Sequence, residues 1–282
     1  MPKKIIDLLN NGLNANLNDK FRNGNIVSLH SEGILVVSGD IHGHRRNFER
    51  IVDFADLKKN PDTHLLLQEI IHGGPQDSAG GCLSYRLLFD VVRLKLDFPD
   101  QVHIIMGNHD TAYINNTQIM KNGKEMNQSM RLAIKRQFKQ KFDDIETAIK
   151  NFLLSLPLAI KCQNRIWLSH SLPSGRLVDK FDMDIFQKKL QVNDTKKPGS
   201  AYLLTWGRNF TQQLLDRMAV LLDVDTFILG HQTQEKGFAN PHKNLIIITS
   251  EHNHGYLLSI DLEKAYTTED LVSKLVPLAS IS

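Results

Sequence analysis

The chain has 282 residues, 41% hydrophobic, 23% charged and 7% aromatic, and carries a formal net charge of +3. This composition supports a sizeable core and excludes a disordered tail or a fibrous repeat, while so small a charge makes no case for a nucleic-acid or membrane-surface partner. Two cysteines against twelve histidines exclude a disulfide framework and a thiolate zinc site, and point to a reducing compartment.

The N-terminus, Met1-Pro2-Lys3-Lys4-Ile5-Ile6-Asp7, has no apolar stretch behind its lysines, and no run approaches the roughly 20 apolar residues that span a bilayer. A cytoplasmic protein without membrane partners is expected. No repeat or Pro/Gly linker divides the chain, so a single domain over residues 1–282 is expected, with its core at about 33–262.

Six short apolar runs bounded by Gly and polar residues read as buried strands. In order, Ile34–Val37 leads into Ser38-Gly39-Asp40-Ile41-His42-Gly43, and Leu65–Leu67 into Gln68-Glu69-Ile70-Ile71-His72-Gly73-Gly74. Val102–Met106 leads into Gly107-Asn108-His109-Asp110, and Arg165–Leu168 into Ser169-His170-Ser171. Phe227–Leu229 leads into Gly230-His231, and Leu245–Ile248 into Thr249-Ser250-Glu251-His252. Between them, Phe48, Ile51, Val52 and Ala55, and Leu83, Leu87, Val91 and Leu94, have helical spacing. Alternating strand and helix signals predict a layered α/β fold. Residues Thr111–Lys161 read as a helical flank, with Met130, Ile134, Phe138 and Phe142 on one face. Gln191–Gly199 reads as an exposed loop and the last twenty residues as a terminal helix.

Ligands of such folds bind at the carboxyl ends of the strands, where this chain repeatedly places His, Asp, Glu or Asn. Asp40, His42, Glu69, Asn108, His170 and His231 together offer carboxylate, imidazole and amide donors, a set suited to Mn, Fe or Zn. Two ions would use so many ligands, with one carboxylate between them. A pair about 3.5–4 Å apart activates water and stabilises an in-line displacement at phosphorus. His109, beside Asn108, is then available to protonate a leaving oxygen.

Gly39-Asp40-Ile41-His42-Gly43, Gly107-Asn108-His109-Asp110, Ser169-His170 and Gly230-His231 resemble, in order, the GDxHG, GNH(E/D), H and GH motifs of the calcineurin-like metallophosphoesterases. Phe98–Val102, Leu156-Pro157-Leu158 and Gly230–Gly237 are similar to the phosphoprotein (Ser/Thr) phosphatase branch. The resemblance runs from about Gly33 to Leu262. It implies a β-sandwich flanked by helices with a dinuclear metal centre at one edge. By position, Asp40, His42 and one further carboxylate would hold the first metal. That carboxylate, Asn108, His170 and His231 would hold the second. A metal-bridging hydroxide would attack phosphorus, with His109 as general acid.

The second family motif, GDxxDRG, is altered. Without a gap, Glu69 takes the bridging Asp position, His72 the Asp that orients the catalytic His, and Gly73 the phosphate-binding Arg. An alternative alignment uses Gly74-Pro75-Gln76-Asp77-Ser78 and loses the bridging ligand; the first is preferred because Glu69 directly follows the strand and keeps a carboxylate. Gly73 removes a bidentate phosphate partner. Arg208, in Leu204-Thr205-Trp206-Gly207-Arg208, falls where the phosphatase branch has another phosphate-binding Arg, and Arg45 and Arg46 follow the first motif at a helix start. His252 and His254 read as turn residues, Cys82 as a buried thiol and the Lys135–Lys141 run as a solvated helix face. His30, His64, His103 and His242 belong to no motif and read as incidental.

The reading is a metal-dependent phosphomonoesterase acting on a phosphoprotein or a small phosphoester or nucleotide. One alternative is a dinucleoside-polyphosphate or phosphodiester hydrolase, whose substrate relies less on the missing Arg. A second is a non-catalytic metal-binding scaffold of the same fold.

Overall fold

The apolar runs form strands because both of their faces are buried. The computed structural model describes residues 2–281 with the exception of Asn122. The chain runs α1 (Pro2–Leu17), β1 (Arg22–Asn23), β2 (Ile26–Leu29), β3 (Ile34–Asp40), α2 (Arg45–Ala55), β4 (Thr63–Gln68), α3 (Ser84–Asp97), β5 (Val102–Ile105) and α4 (Asn108–Asn115). A short hairpin, β6 (Met120–Lys121) and β7 (Lys124–Glu125), precedes α5 (Met126–Phe138) and α6 (Phe142–Leu154), then β8 (Ala159–Cys162) and β9 (Ile166–Ser169). The remainder comprises α7 (Ser200–Trp206), α8 (Gln212–Leu222), β10 (Thr226–Leu229), β11 (Phe238–His242), β12 (Leu245–Ile248), β13 (Tyr256–Asp261), α9 (Thr268–Val272) and β14 (Leu275–Pro277).

Two sheets form, a seven-stranded one in the order β1-β2-β8-β9-β10-β12-β11 and a five-stranded one in the order β14-β13-β3-β4-β5. Alternate residues divide between two layers of core. Leu35, Val37, Leu66 and Ile105 of one sheet meet Leu168, Ile228, Ile246 and Ile248 of the other. Val36, Leu65, Leu67 and Ile104 point the opposite way, into the cluster that holds Phe48 and Ile51 of α2 and Leu88 and Val91 of α3. The result is a mixed α/β fold, two β-sheets flanked by helices, as the strand and helix pattern predicts. Among the described residues no helix is long and apolar enough to cross a membrane.

β3, β4 and β5 are parallel neighbours, as are β9, β10 and β12. The two sets end at a common edge, where Asp40 bridges to Thr249 and the Ser250 amide donates to the Asp40 carbonyl at 3.1 Å.

Two local expectations are corrected and one is refined. The last twenty residues are not a terminal helix: the five-residue α9 gives way to β14, an edge strand antiparallel to β13, where Pro277 leaves no ladder donor missing. Gln191–Gly199 is mostly exposed, as expected, but it is ordered locally: Val192–Thr195 forms a 3₁₀ turn whose Thr195 is buried and accepts through its carbonyl from Asn115 Nδ2 at 2.7 Å. His64 and His103 are not incidental. His64 Nδ1 lies 3.0 Å from His103 Nε2, and His103 Nδ1 lies 3.0 Å from Asp19 Oδ2, which also accepts from Lys95 Nζ at 2.8 Å. All four residues are buried, at the end of the sheet opposite the Asp40 edge. Burial opposes the charge on Asp19, but His103 and Lys95 together hold its carboxyl well below the usual carboxylate range. Burial lowers His64 to about 4.

α1 has no counterpart in the sequence reading. Its asparagine-rich sequence has weak intrinsic helicity, and it is the burial of Leu9 against α3 and α6 that holds it.

Candidate metal centre and active site

Five of the six strand ends at the common edge supply the members of a buried cluster. Asp40 closes β3, Gln68 closes β4 with Glu69 next, and Asn108 opens α4 after β5. His170 follows β9 and His231 follows β10 by two residues. Asp40, Glu69, Asn108, His170 and His231 are all less than a tenth exposed.

The backbone at this edge is strained. His42, Glu69, His72 and His231 adopt left-handed φ values of 44°, 49°, 66° and 67°. Such conformations cost about 1–3 kcal/mol each and persist where surrounding contacts over-determine them. Here the Glu69 carbonyl accepts from the His42 amide at 2.8 Å, and the Ile70 carbonyl from the Gly43 amide at 2.9 Å, locking the loops after β3 and β4 together. Close approach also dictates two glycines: a Cβ on Gly107 would lie 2.5 Å from Glu69 Oε2, and one on Gly230 would lie 2.2 Å from Asp40 Oδ1.

The donor atoms meet at one amide oxygen. Asn108 Oδ1 lies 2.9 Å from His170 Nε2 and 2.9 Å from His231 Nδ1, and His170 Nε2 lies 2.9 Å from Glu69 Oε2. The His231 amide donates to both Asp40 carboxylate oxygens at 3.1 Å. Gln68 decides the His170 tautomer. Its Nε2 donates to the Ser38 carbonyl at 2.9 Å, so its Oε1 faces His170 Nδ1, also at 2.9 Å, and must accept. The imidazole proton therefore sits on Nδ1. Nε2 is left with its lone pair facing the oxygens of Asn108 and Glu69, an arrangement that is repulsive unless a cation or a proton lies among them. When only His, Cys, Asp and Glu are considered, no three of the described residues form a metal-holding group. It is Asn108 that joins these donors, and an oxygen and imidazole set of this kind fits a borderline divalent ion.

Burial sets the electrostatics. It raises Glu69 to about 8 and pushes Asp40 upward, and Asp110 rises through burial and the neighbouring Glu69. Burial also lowers His170 and His231, so both imidazoles stay neutral and able to act as ligands. Three carboxyls made reluctant to ionise beside neutral imidazoles favour uptake of positive charge.

His42 stands to one side of this group. Its Nδ1 donates to the Ile71 carbonyl at 3.1 Å, its Nε2 lies 3.7 Å from Glu251 Oε2, and its ring lies 4.8 Å from that of His109. His109 lies at the start of α4, where its amide faces Glu69 Oε1 at 3.2 Å, with the His72 ring 5.1 Å away. Asn127 Nδ2 donates to the Thr117 carbonyl, so its Oδ1 accepts from His72 Nε2. His72 Nδ1 keeps a lone pair with no hydrogen-bond partner among the described residues, and burial lowers the ring to about 3. Arg208 is exposed at the mouth, where its charge reaches Asp40, His170 and His231.

Other candidates lie elsewhere. Asp77 pairs with Arg136 at 2.6 Å on the surface, and Arg45 pairs with Asp90 at 2.6 Å. Arg46 is exposed. His252 donates from Nε2 to the Gln234 carbonyl at 2.9 Å, and His254 is exposed. Cys82 is buried with its Sγ 3.3 Å from the Gly73 carbonyl. Sequence reasoning missed Gln68, Asn127 and Glu251. The available signal for Gln68 was a polar residue directly after the Leu65–Leu67 run; nothing local marked the other two.

A family model described as calcineurin-like phosphoesterase matches residues 34–235. Among solved structures, the chain is similar to a protein serine/threonine phosphatase from Saccharomyces cerevisiae with similarity to human phosphatase PP5, at 15% identity and a TM-score of 0.71, covering 99% of this chain and 93% of that one. It is also similar to the cold-active protein-tyrosine phosphatase of a psychrophilic Shewanella species, at 17% identity and a TM-score of 0.57, covering 84% and 77%. At these identities the likeness concerns the fold.

Proposed function

The chain belongs to the calcineurin-like phosphoesterase family, a hydrolase acting on phosphoester bonds, and from that premise we propose that it is a metal-dependent phosphomonoesterase. The observation that carries this reading is the meeting of Glu69, Asn108, His170 and His231 at 2.9 Å around lone pairs, beside His109. Members of the family generally use divalent metals. Glu69, Asn108, His170 and His231 would hold one ion, and Asp40, His42 and the other side of Glu69 a second, with Mn, Fe or Zn the candidates. Bound ions would supply activated water and charge neutralisation at the phosphoryl oxygens. The protein's own contributions are positional. Gln68 holds His170 in the ligating tautomer, Asn127 keeps the His72 proton on Nε2, and the His72 ring packs beside that of His109. His109 delivers a proton to the leaving oxygen, and Arg208 offers a guanidinium to the phosphate at the mouth.

A second reading, hydrolysis of a phosphodiester or dinucleoside polyphosphate, is favoured by one feature: Gly73 stands where the resemblance puts a phosphate-binding Arg. A Mn-, Fe- or Zn-supplemented screen of an aryl phosphomonoester, an aryl diester, a dinucleoside polyphosphate and a phosphopeptide separates the two. Fastest turnover of a monoester, abolished by His109→Ala with metal content retained, is the expected result. Preference for the diester or polyphosphate would favour the second reading, and silence on all four would refute both.

A further inference from the structure

The short helix α7 carries two aromatic rings to the rim of the centre. Tyr202 and Trp206 are four residues apart on one helix face, and their rings stack at 5.5 Å with an interplanar angle of 14°. The indole lies 6.3 Å from the His231 ring, at 67° to it. Its Nε1 donates to Thr111 Oγ1 at 2.9 Å, and that hydroxyl donates to the Asn108 carbonyl at 2.8 Å. The orientation of the indole is thus tied through a single hydroxyl to the residue on which the donor atoms converge. From the other side, the Ser171 amide donates to the Leu204 carbonyl at 2.8 Å and the Ser171 hydroxyl to the Gly207 carbonyl at 2.6 Å, binding the end of α7 to the strand end that bears His170. Both rings are only partly buried, and Arg208 follows two residues after Trp206, exposed.

An oriented π-surface beside the centre, next to a cation, has the chemistry to hold a flat ring attached to a phosphate. Gly73 strengthens the argument. With no side-chain donor at that position, a phosphate dianion contributes less of the binding, and more must come from the group that bears it.

We propose that Tyr202 and Trp206 form a recognition surface for an aromatic group esterified to the phosphate, so that this chain acts on tyrosine-like or nucleoside phosphomonoesters in preference to alkyl ones. The proposal rests on the phosphoesterase reading above. Aryl esters also leave more readily than alkyl esters, so turnover alone does not test recognition, and binding of non-hydrolysable phosphonates to the metal-loaded protein does. By calorimetry, benzylphosphonate should bind about 3- to 10-fold more tightly than n-propylphosphonate. Trp206→Leu should bring that ratio close to 1, Trp206→Phe should keep most of it, and Tyr202→Leu, at a partly exposed position, should halve it or more. A nucleoside 5′-phosphonate that binds more tightly than the benzyl compound identifies a nucleobase as the favoured ring; weaker binding identifies a tyrosine-like one. Equal affinity of wild-type protein for benzyl and propyl compounds, or a preference that survives Trp206→Leu in folded protein, would overturn the proposal. Failure to bind any phosphonate would overturn the phosphomonoesterase reading, and this one with it.

Discussion

Replacing Gln68 by Leu strips His170 of the acceptor that holds its proton on Nδ1. Gln68 is 2% exposed, and the next acceptor near Nδ1, Asp40 Oδ1, lies 3.8 Å away, beyond hydrogen-bond range. A buried N–H left facing a methyl group costs about 1–3 kcal/mol. The imidazole avoids this cost by moving its proton to Nε2, where Glu69 Oε2 and Asn108 Oδ1 both accept at 2.9 Å. In that tautomer Nε2 is no ligand, and binding a metal requires the proton to move back. The same 1–3 kcal/mol therefore appears as a loss of metal affinity of about 10- to 100-fold. Stability without metal should fall by only about 1 kcal/mol, for the lost donor to the Ser38 carbonyl. Gln68→Glu should retain tight binding, since a carboxylate also accepts from Nδ1. Competition against a chromophoric chelator measures the affinity, and urea unfolding of metal-free protein measures the stability. Binding by Gln68→Leu within threefold of wild type would refute the reasoning, as would an affinity loss fully explained by unfolding.

Three further outcomes are expected. Glu69→Ala should lose bound metal while Asp77→Ala keeps it, because Asp77 is committed to Arg136 on the surface; elemental analysis after gel filtration decides, and the reverse result would restore the alternative alignment. Metal affinity should fall with acidity below about pH 8, where buried Glu69 holds a proton that an ion must displace, and level off above it. Each displaced proton adds about one decade per pH unit, so a flat profile between pH 6.5 and 8.5 would remove Glu69 from the ligand set. Lys95→Met should destabilise the fold by about 3–5 kcal/mol in urea, since the Asp19 carboxylate stays buried with its cation gone. Because Asp19 is held below its unfolded value, its contribution is present above about pH 4 and disappears as pH falls through the lower folded value. A Lys95→Met loss under 1 kcal/mol would mean that His103 and the Phe21 amide suffice for the carboxylate.

How much was legible follows from the range of the forces involved. The six buried strands could be read from short apolar runs, because a strand covered on both faces needs apolar residues at nearly every position. α1 could not, since its asparagines favour no helix and its stability comes from α3 and α6, distant in the chain. His64 and His103 carry no local signal, because their partner is Asp19 on a connection dozens of residues away. β14 was misread for a similar reason: three residues become a strand only when β13 offers an edge.

The order and spacing of Asp40, His42, Asn108, His109, His170 and His231 by themselves pointed to the family and to the donor types proposed for the centre, because strand-end chemistry is written in contiguous motifs. Tertiary structure decided which atoms meet. Gln68 on one sheet and His170 on the other come within 2.9 Å only because the two sheets end at a common edge. Whether an imidazole nitrogen offers a lone pair or a proton depends on that contact, and no single segment of the chain contains it.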